Sequence, residues 1–243
     1  EVTAVGAAGG GGVTCDIAAG SFVALVGASG SGKTTLLKTV NALVVPNEGR
    51  VLFGAEDVSR LPPARLRRRI GYVFQGVGLF PHMSVAENIA IGPRLAGEKL
   101  PPERIAELLA LVELDRDYAK RMPDALSGGQ RQRVGVARAL AGGPELLLMD
   151  EPFGALDPVT RDALGRTVRE LHETLGLTTI MVTHDMAEAL LLADRVLVME
   201  AGRIVADETP RALLAGAGGA VAQRLVAVPR DQAERLAALE GPR

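Results

Sequence analysis

The sequence contains little that would support a disulfide, a metal cluster or base stacking. Cys15 is the only cysteine in 243 residues, which excludes an internal disulfide and a thiolate-clustered metal site. Tryptophan is absent and aromatic residues make up 3%, too few for a platform that stacks single-stranded nucleic acid. The 27 basic and 29 acidic residues give a net charge of −2, so no basic excess favours nucleic acid or an anionic membrane surface. We expect a reducing compartment, the cytoplasm.

Long apolar runs are missing as well. No stretch approaches the roughly 18 apolar residues that a membrane-spanning helix requires. No basic segment with an apolar core opens the chain, so we expect no secretory signal, and because Glu1 is not a methionine we expect the start to lie upstream. With 47% hydrophobic and 23% charged residues, the composition is that of a globular protein with one large or two small domains.

Short apolar segments alternate with helical patterns, which is typical of an α/β protein. Phe22–Val26, Leu146–Met149 and Thr179–Thr183 predict strands that are buried on both faces of a parallel sheet. Two hairpins are also predicted, one in residues 1–20 with a turn at Gly9–Gly12 and one at the sheet edge in residues 196–205.

Residues 76–140 carry helical patterns without strands, which predicts a helical insertion in the sheet core. The predicted main domain is 1–210, with the parallel-sheet core in 1–75 and 141–210 and the helical subdomain in about 76–140. A weakly helical tail, 211–243, is broken by glycines at 216–219.

A glycine-rich loop follows the first buried strand and opens a helix. It reads Gly27-Ala28-Ser29-Gly30-Ser31-Gly32-Lys33-Thr34-Thr35 and fits the phosphate-binding pattern G-x-x-x-x-G-K-[ST]. The glycines let successive backbone N–H groups surround a phosphate, and the helix adds its positive N-terminus. Lys33 is expected to contact the β- and γ-phosphates, and the Thr34 hydroxyl to bind Mg²⁺. A chance glycine turn is the weaker explanation, because the motif has the strand and the helix that it requires.

Two carboxylates end the strand at Leu146. Asp150 is expected beside the metal, and Glu151 is the candidate to orient or deprotonate an attacking water. On a regular strand the two side chains point to opposite faces, so the chain must bend after Asp150. Pro152 predicts an extended conformation for Glu151. Alone, an Asp-Glu pair is more often a surface turn; the glycine loop favours the functional interpretation.

The segment Leu126-Ser127-Gly128-Gly129-Gln130 predicts a second anion site at a helix N-terminus, with Ser127 capping a helix that begins near Gln130. This pentapeptide resembles the signature of ATP-binding-cassette (ABC) ATPases. The resemblance implies a P-loop NTPase fold: a RecA-like parallel sheet with an antiparallel β subdomain and a helical insertion subdomain. It also implies ATP and Mg²⁺ as cofactors and a head-to-tail dimer. In such a dimer Ser127 to Gln130 of one subunit complete the Lys33 site of the other.

Three further positions match the family in order, and the resemblance assigns their roles. Gln75 resembles the glutamine that contacts Mg²⁺ or water, Asp157 lies in a subunit-contact loop with Ala155 and Leu156, and His184 resembles the switch histidine that contacts the γ-phosphate. One feature departs from the family pattern, because no aromatic residue precedes Phe22 to stack on adenine. Two explanations stay open: apolar contacts hold adenine, or the aromatic lies before Glu1.

The segments 78–89 and 150–157 are similar to those of bacterial importer ATPases, and nearest to those for glycine betaine, choline and related quaternary amines. This resemblance implies membrane permease partners, an indirect link to a substrate-binding protein, no nucleic acid, and a location at the cytoplasmic face of the cell membrane. Importers of amino acids, sulfonate, nitrate or polyamines remain alternatives. A soluble ABC ATPase would have a coiled-coil insertion, a basic face or a second cassette, and a non-catalytic regulator a damaged Glu151 or His184; the sequence has none of these features.

Overall fold

Two β-sheets form the framework of the computed structural model, which describes residues 2–7 and 12–239. Within these residues ten strands are present: β1 (Val2–Ala7), β2 (Gly12–Ile17), β3 (Phe22–Val26), β4 (Glu48–Phe53), β5 (Glu56–Asp57), β6 (Ile70–Val73), β7 (Leu146–Asp150), β8 (Thr178–Val182), β9 (Arg195–Glu200) and β10 (Arg203–Glu208).

Helices fill the connections. They are α1 (Lys33–Val40), α2 (Pro63–Arg68), α3 (Val85–Leu95), α4 (Pro102–Leu111), α5 (Gly128–Leu140), α6 (Pro158–Leu175), α7 (Met186–Leu192), α8 (Pro210–Leu214) and α9 (Gly219–Leu239), with short 3-10 turns at Val58–Arg60, Arg116–Lys120 and Pro123–Ala125. In the described part of the chain, no helix combines the length and the apolar character needed to cross a bilayer.

The larger sheet has the strand order β10-β9-β3-β8-β7-β6, and all its pairs are parallel except β9 with β10. Strands β3, β7 and β8 are buried along their whole length, as their continuous apolar sequences predict. The carboxyl ends of the four neighbouring strands β3, β8, β7 and β6 therefore meet at one edge. The predicted α/β class with a parallel core is confirmed.

Each face of the larger sheet has its own core. Phe22 and Ala24 of β3 pack into one cluster with α3 to α7, whereas Val23 and Leu25 pack into the other with α1 and β4. The alternation follows from the two-residue period of a strand. Helix α9 adds Ala222 and Val226 to the first core.

The smaller sheet is antiparallel, with the order β2-β1-β4-β5. Its hairpin β1–β2 was predicted, and β2 alternates exposed and buried residues as expected. Gly12 belongs to β2 rather than to the turn, and the rest of the predicted turn, 9–11, lies outside the described residues.

Several predicted boundaries move by one to three residues. The third buried strand begins at Thr178 and ends at Val182. Within the segment predicted to be helical, α4 ends at Leu111, and Glu113 has a positive φ of 57°. No strand occurs among residues 76–140, as predicted, since α3, α4 and α5 with two 3-10 turns fill this segment. The glycines at 216–219 separate α8 from α9. The division of the chain at 75, 140 and 210 stays a prediction.

Candidate nucleotide site

The glycine-rich loop lies directly between β3 and α1. Gly27, Gly30 and Gly32 have φ angles of 151°, 78° and 101°, values that side-chain-bearing residues rarely adopt. At Gly27 a Cβ atom would lie 2.1 Å from the carbonyl oxygen of Met199 on β9. The backbone path of the loop therefore depends on glycine. Its outer part, 28–30, is exposed, whereas Ser31 is buried.

Lys33 lies at the start of α1 and folds back into this loop. Its Nζ donates hydrogen bonds to the carbonyl oxygens of Gly27 (2.8 Å) and Ala28 (2.9 Å) and lies 3.4 Å from Ser31 Oγ. Burial lowers the pKa of Lys33, while the charges of Glu151 and Asp150 oppose that shift. The Lys33 ammonium group is thus held inside the loop by backbone carbonyl oxygens.

Thr34 and Asp150 form the predicted pair of oxygen donors. The Thr34 hydroxyl donates to Asp150 Oδ1 at 2.8 Å, and Asp150 is 4% exposed at the end of β7. Tyr72 on β6 donates to Asp150 Oδ2 at 3.4 Å, a contact that sequence reasoning missed. Burial, with the neighbouring Asp150 charge, raises the pKa of Tyr72. A tyrosine in the strand beside β7 is the signal that could have indicated it. Thr35, also on α1, is half-buried.

Glu151 follows β7 with a φ of +45°, so the prediction of an extended conformation is wrong. The left-handed residue itself makes the bend after Asp150, and the steric bias from Pro152 is overridden. The Glu151 N–H donates to the carbonyl oxygen of Val182 on β8 (2.9 Å), which fixes the bend against the sheet. A non-glycine residue in this conformation is strained by about 1 kcal/mol or more, and such strain concentrates at functional sites.

The bend brings together three of the four side chains predicted to be catalytic, the fourth being Lys33. Gln75 follows β6, and its Nε2 donates to Glu151 Oε2 at 3.1 Å. His184 follows β8, and its Nδ1 lies 3.5 Å from the same carboxylate oxygen. His184 is 63% exposed and Glu151 25% exposed, so both reach solvent. A carboxylate between an amide and an imidazole can hold a water and accept its proton.

Ser127 to Gln130 build the N-terminus of α5, which begins at Gly128, two residues before Gln130, with Ser127 as its cap as predicted. A capping box closes it: Ser127 Oγ accepts from the Gln130 N–H (3.2 Å), and Gln130 Oε1 accepts from the Ser127 N–H (2.9 Å). Gly128 is exposed with open space at its Cβ position, whereas a Cβ at Gly129 would lie 2.4 Å from Thr160 Cγ2.

Asp157 caps α6 by accepting a hydrogen bond from the Thr160 N–H at 3.0 Å, which lowers the pKa of Asp157. Within the described residues, no hydrogen bond or ion pair joins Asp157 or the Ser127–Gln130 segment to the Lys33 loop, Asp150 or Glu151. The chain thus has two separate groups of predicted site residues.

The oxygen donors of Thr34 and Asp150 are of the chemical type that Mg²⁺ binds. Mg²⁺ takes few oxygen ligands from protein and completes its shell with phosphate and water. The Thr34 hydroxyl and the Asp150 carboxylate, 2.8 Å apart, supply such oxygens, whereas the Gln75 amide is hydrogen-bonded to Glu151. In the part of the chain described, no cluster of three or more His, Cys, Asp or Glu side chains offers a complete metal site.

Comparisons with known proteins agree on the chain's relatives. Residues 11–154 match the ABC transporter family. The glycine betaine/carnitine/choline transport ATP-binding protein OpuCA of Bacillus subtilis is 50% identical over 204 residues, 83% of this chain and 54% of that protein. The glycine betaine uptake system ATP-binding protein YehX of Escherichia coli is 51% identical over 197 residues, 80% of this chain and 64% of that protein.

The sulfate/thiosulfate import ATP-binding protein CysA of Xanthomonas campestris pv. campestris is 52% identical over 204 residues, 82% of this chain and 59% of that protein. The chain therefore spans 54% to 64% of the length of these curated relatives. Among solved structures, a dimeric ATP-binding cassette in a post-hydrolysis state bound to ADP and phosphate matches with a TM-score of 0.74 and 33% identity. That match covers 86% of this chain and 97% of that one.

Proposed function

Because the chain belongs to the ABC transporter family, as the resemblance predicted, we propose that it binds and hydrolyses ATP to drive a bacterial importer. The observation that carries this proposal is the cluster at one sheet edge. Lys33 and Thr34 follow β3, Asp150 and Glu151 end β7, and Gln75 and His184 follow the strands on either side of β7.

Nucleotide binding is assigned to the 27–35 segment. Phosphate oxygens would accept hydrogen bonds from the loop N–H groups and from Lys33 Nζ, in place of the carbonyl contacts that Lys33 now makes. Mg²⁺, when bound, neutralises charge on the β- and γ-phosphates. Thr34 and Asp150 would hold it, with Gln75 as a further ligand directly or through water.

Hydrolysis is assigned to the Glu151 cluster. Glu151 would orient the attacking water and accept its proton, and Gln75 holds the carboxylate in place. His184 would contact the γ-phosphate, where charge develops in the transition state. Most of the acceleration should come from positioning and fixed charge, as in other phosphoryl transfers.

The second group of site residues supports a head-to-tail dimer. The N-terminus of α5, with Ser127, Gly128 and Gly129, presents helix N–H groups of the kind that bind phosphate, and among the described residues no hydrogen bond joins it to the Lys33 loop of its own chain. A second copy, or a close relative, would place these N–H groups on the nucleotide. The matching solved structure is itself a dimer.

A permease is the proposed membrane partner. A cavity of about 600 Å³ opens between α2, β6 and the C-terminal end of α3, lined by apolar residues that include Phe74, Phe80 and Ile91. Arg67 and Arg138 add positive charge to its wall. The cavity adjoins Gln75 in the chain and the segment 78–89, so a permease helix in it would be coupled to the nucleotide. The protein would then lie at the cytoplasmic face of the membrane.

Quaternary amines such as glycine betaine and choline are the proposed solutes, because OpuCA and YehX carry these names. The CysA relatives, with similar identity, make sulfate or thiosulfate the second candidate. Purification of the tagged chain from native membranes, with identification of the permease and solute-binding protein that accompany it, decides between these solutes.

Two variants test the ATPase proposal. Glu151→Gln should bind ATP like the wild type but lose about 100-fold or more in phosphate release, since the water loses its proton acceptor. Lys33→Ala should lose nucleotide affinity. Matched changes at exposed positions, Glu170→Gln and Lys99→Ala, should leave both activities unchanged. Unchanged turnover in Glu151→Gln removes Glu151 from this role, and unchanged ATP binding in Lys33→Ala contradicts the phosphate loop.

A further inference from the structure

A partly buried ionic cluster lies beside the candidate site and has no role in the chemistry described above. Its centre is Arg161, on the first turn of α6. Nη1 lies 3.5 Å from Asp185 Oδ2 and Nε 3.7 Å from Glu188 Oε1, while Nη2 donates to the carbonyl oxygen of Leu156 at 3.1 Å. One guanidinium therefore contacts both α7 and the loop that precedes α6.

The cluster holds the backbone on both sides of His184. Thr183 Oγ donates to Glu188 Oε2 at 2.6 Å and accepts from the Asp185 N–H at 3.0 Å. Asp185 Oδ1 caps α7 by accepting from the N–H groups of Ala187 and Glu188. The His184 side chain itself is 63% exposed, with its Nδ1 3.5 Å from Glu151 Oε2, so little packing surrounds the ring and the backbone that carries it is held by these neighbours.

The loop at 154–157 reaches the same histidine from the other side. A Cβ at Gly154 would lie 3.9 Å from His184 Cε1 and 4.0 Å from Glu151 Oε2. The far end of this loop, the Leu156 carbonyl, is held by Arg161. Arg161 thus connects the loop to Asp185 directly and to Thr183 through Glu188.

The cluster is poorly optimised for stability. The Glu188 side chain is 11% exposed, and burial raises its pKa; the Asp185 charge adds to the shift, whereas the hydrogen bond from Thr183 and the neighbouring Arg161 and His184 oppose it. Arg161 Nε is buried with no hydrogen-bond partner. Buried charges with incomplete pairing destabilise a fold. Such a group is retained more readily where it serves function.

We propose that Arg161 is a positioning residue for ATP hydrolysis, which couples the loop at 154–157 to His184 through Glu188 and Thr183. This inference rests on the proposed function and deepens it. In this mechanism Arg161 contacts neither the phosphate nor the attacking water. It acts by fixing the position of His184.

The kinetic test compares Arg161→Met with Arg166→Met. Arg166 lies on the same helix, but its side chain is 69% exposed and forms an ion pair with Asp162. Arg161→Met should lower kcat about tenfold or more, with the KM for ATP changed less than about twofold, because the phosphate loop is untouched. Arg166→Met should keep wild-type values, and Arg161→Lys should recover part of kcat by restoring the charge.

Double variants separate positioning from general stability. If Arg161 acts through His184, Arg161→Met should add almost nothing to the loss in His184→Ala. A multiplicative loss, or an Arg161→Met enzyme with wild-type kcat, overturns the proposal. Should Arg161→Met fail to fold, Glu188→Gln takes its place, since it keeps the shape and removes the charge.

An NMR measurement tests the linkage apart from hydrolysis. The Hε1 resonance of His184, assigned with His184→Ala, should shift in Arg161→Lys and Glu188→Gln but not in Arg166→Met. An unmoved resonance contradicts the coupling whatever the activity. A wild-type protein that binds no ATP and releases no phosphate refutes the proposed function instead, and the His184 resonance still decides the inference.

Discussion

Gly27 shows how one residue type can determine the nucleotide loop. Its φ of 151° and the 2.1 Å approach of Met199 O to its Cβ position leave no space for a side chain. Gly27→Ala should therefore destabilise the protein by about 3 kcal/mol or more and abolish ATP binding. Urea unfolding and a nucleotide titration measure the two effects.

Gly30→Ala is the matched control within the same loop. Gly30 also has a positive φ, 78°, but no atom lies within 4 Å of its Cβ position. Its substitution should cost about 1 kcal/mol, from backbone strain alone. Equal stabilities for the two variants would contradict the steric argument.

His172 on α6 is a buried histidine away from the site, with its Nδ1 2.9 Å from Thr179 Oγ. Burial, and then the Arg169 charge, hold the pKa of His172 below its usual 6.5. The unfolded chain therefore binds more protons than the folded one below pH 6.5. His172 should support stability fully above that pH and lose this contribution as the pH falls toward its lowered pKa.

The free energy of unfolding at pH 7.5 and pH 5, for the wild type and His172→Gln, isolates this contribution. The wild type should lose more stability than the variant between these values. Equal losses would show that His172 does not titrate differently in the folded and unfolded chains.

At the scale of the element, one side chain organises the segment that leads into α3. Asn88 is fully buried, and its Nδ2 donates to the carbonyl oxygens of Phe80, Met83 and Ser84, while its Oδ1 accepts from the Phe80 N–H. Asn88→Ala would remove the partners of the Phe80 N–H and the Met83 carbonyl oxygen, while the Phe80 and Ser84 carbonyls keep their backbone hydrogen bonds, so it should destabilise the protein by about 2–4 kcal/mol.

The segment beside α3 is part of the proposed permease contact and not of the nucleotide site. The substitution should therefore lower stability without lowering the affinity for ATP. Thermal unfolding should show the destabilisation, and ATP binding below the transition should stay at the wild-type level. A loss of ATP affinity at full folding would place Asn88 in the nucleotide site instead.

At the scale of the whole molecule, local sequence patterns predicted the helices and strands and most residues of the candidate site. They did not predict contacts between residues that are distant in the sequence. The glycine loop can be recognised from the sequence because eight consecutive residues fit its motif. The positive φ of Glu151 is imposed by its hydrogen bond to β8, and the Tyr72 contact to Asp150 by the pairing of β6 with β7. Patterns among neighbouring residues in the sequence do not predict which distant segments pair in the fold. Arg161 likewise gains its meaning only when α6, α7 and the loop at 154–157 are placed together.

Assembly into a dimer is the property that the separate position of the α5 N-terminus predicts. With ATP and Mg²⁺, Glu151→Gln should double in mass by light scattering, because bound nucleotide joins two copies and hydrolysis no longer releases them. Adding Ser127→Asp should abolish the doubling. Aspartate still caps α5, so the helix stays intact, but its charge repels the phosphates that the second copy presents.

Ser84→Asp provides the matched change, since Ser84 caps α3 in an equivalent capping box. In the Glu151→Gln background it should leave the ATP-dependent doubling intact. If Ser127→Asp dimerises as readily as Ser84→Asp, the α5 N-terminus does not face nucleotide across the interface. The Lys33 loop would then have to hold ATP without the second group of site residues, and the division of one pocket between two chains would be wrong.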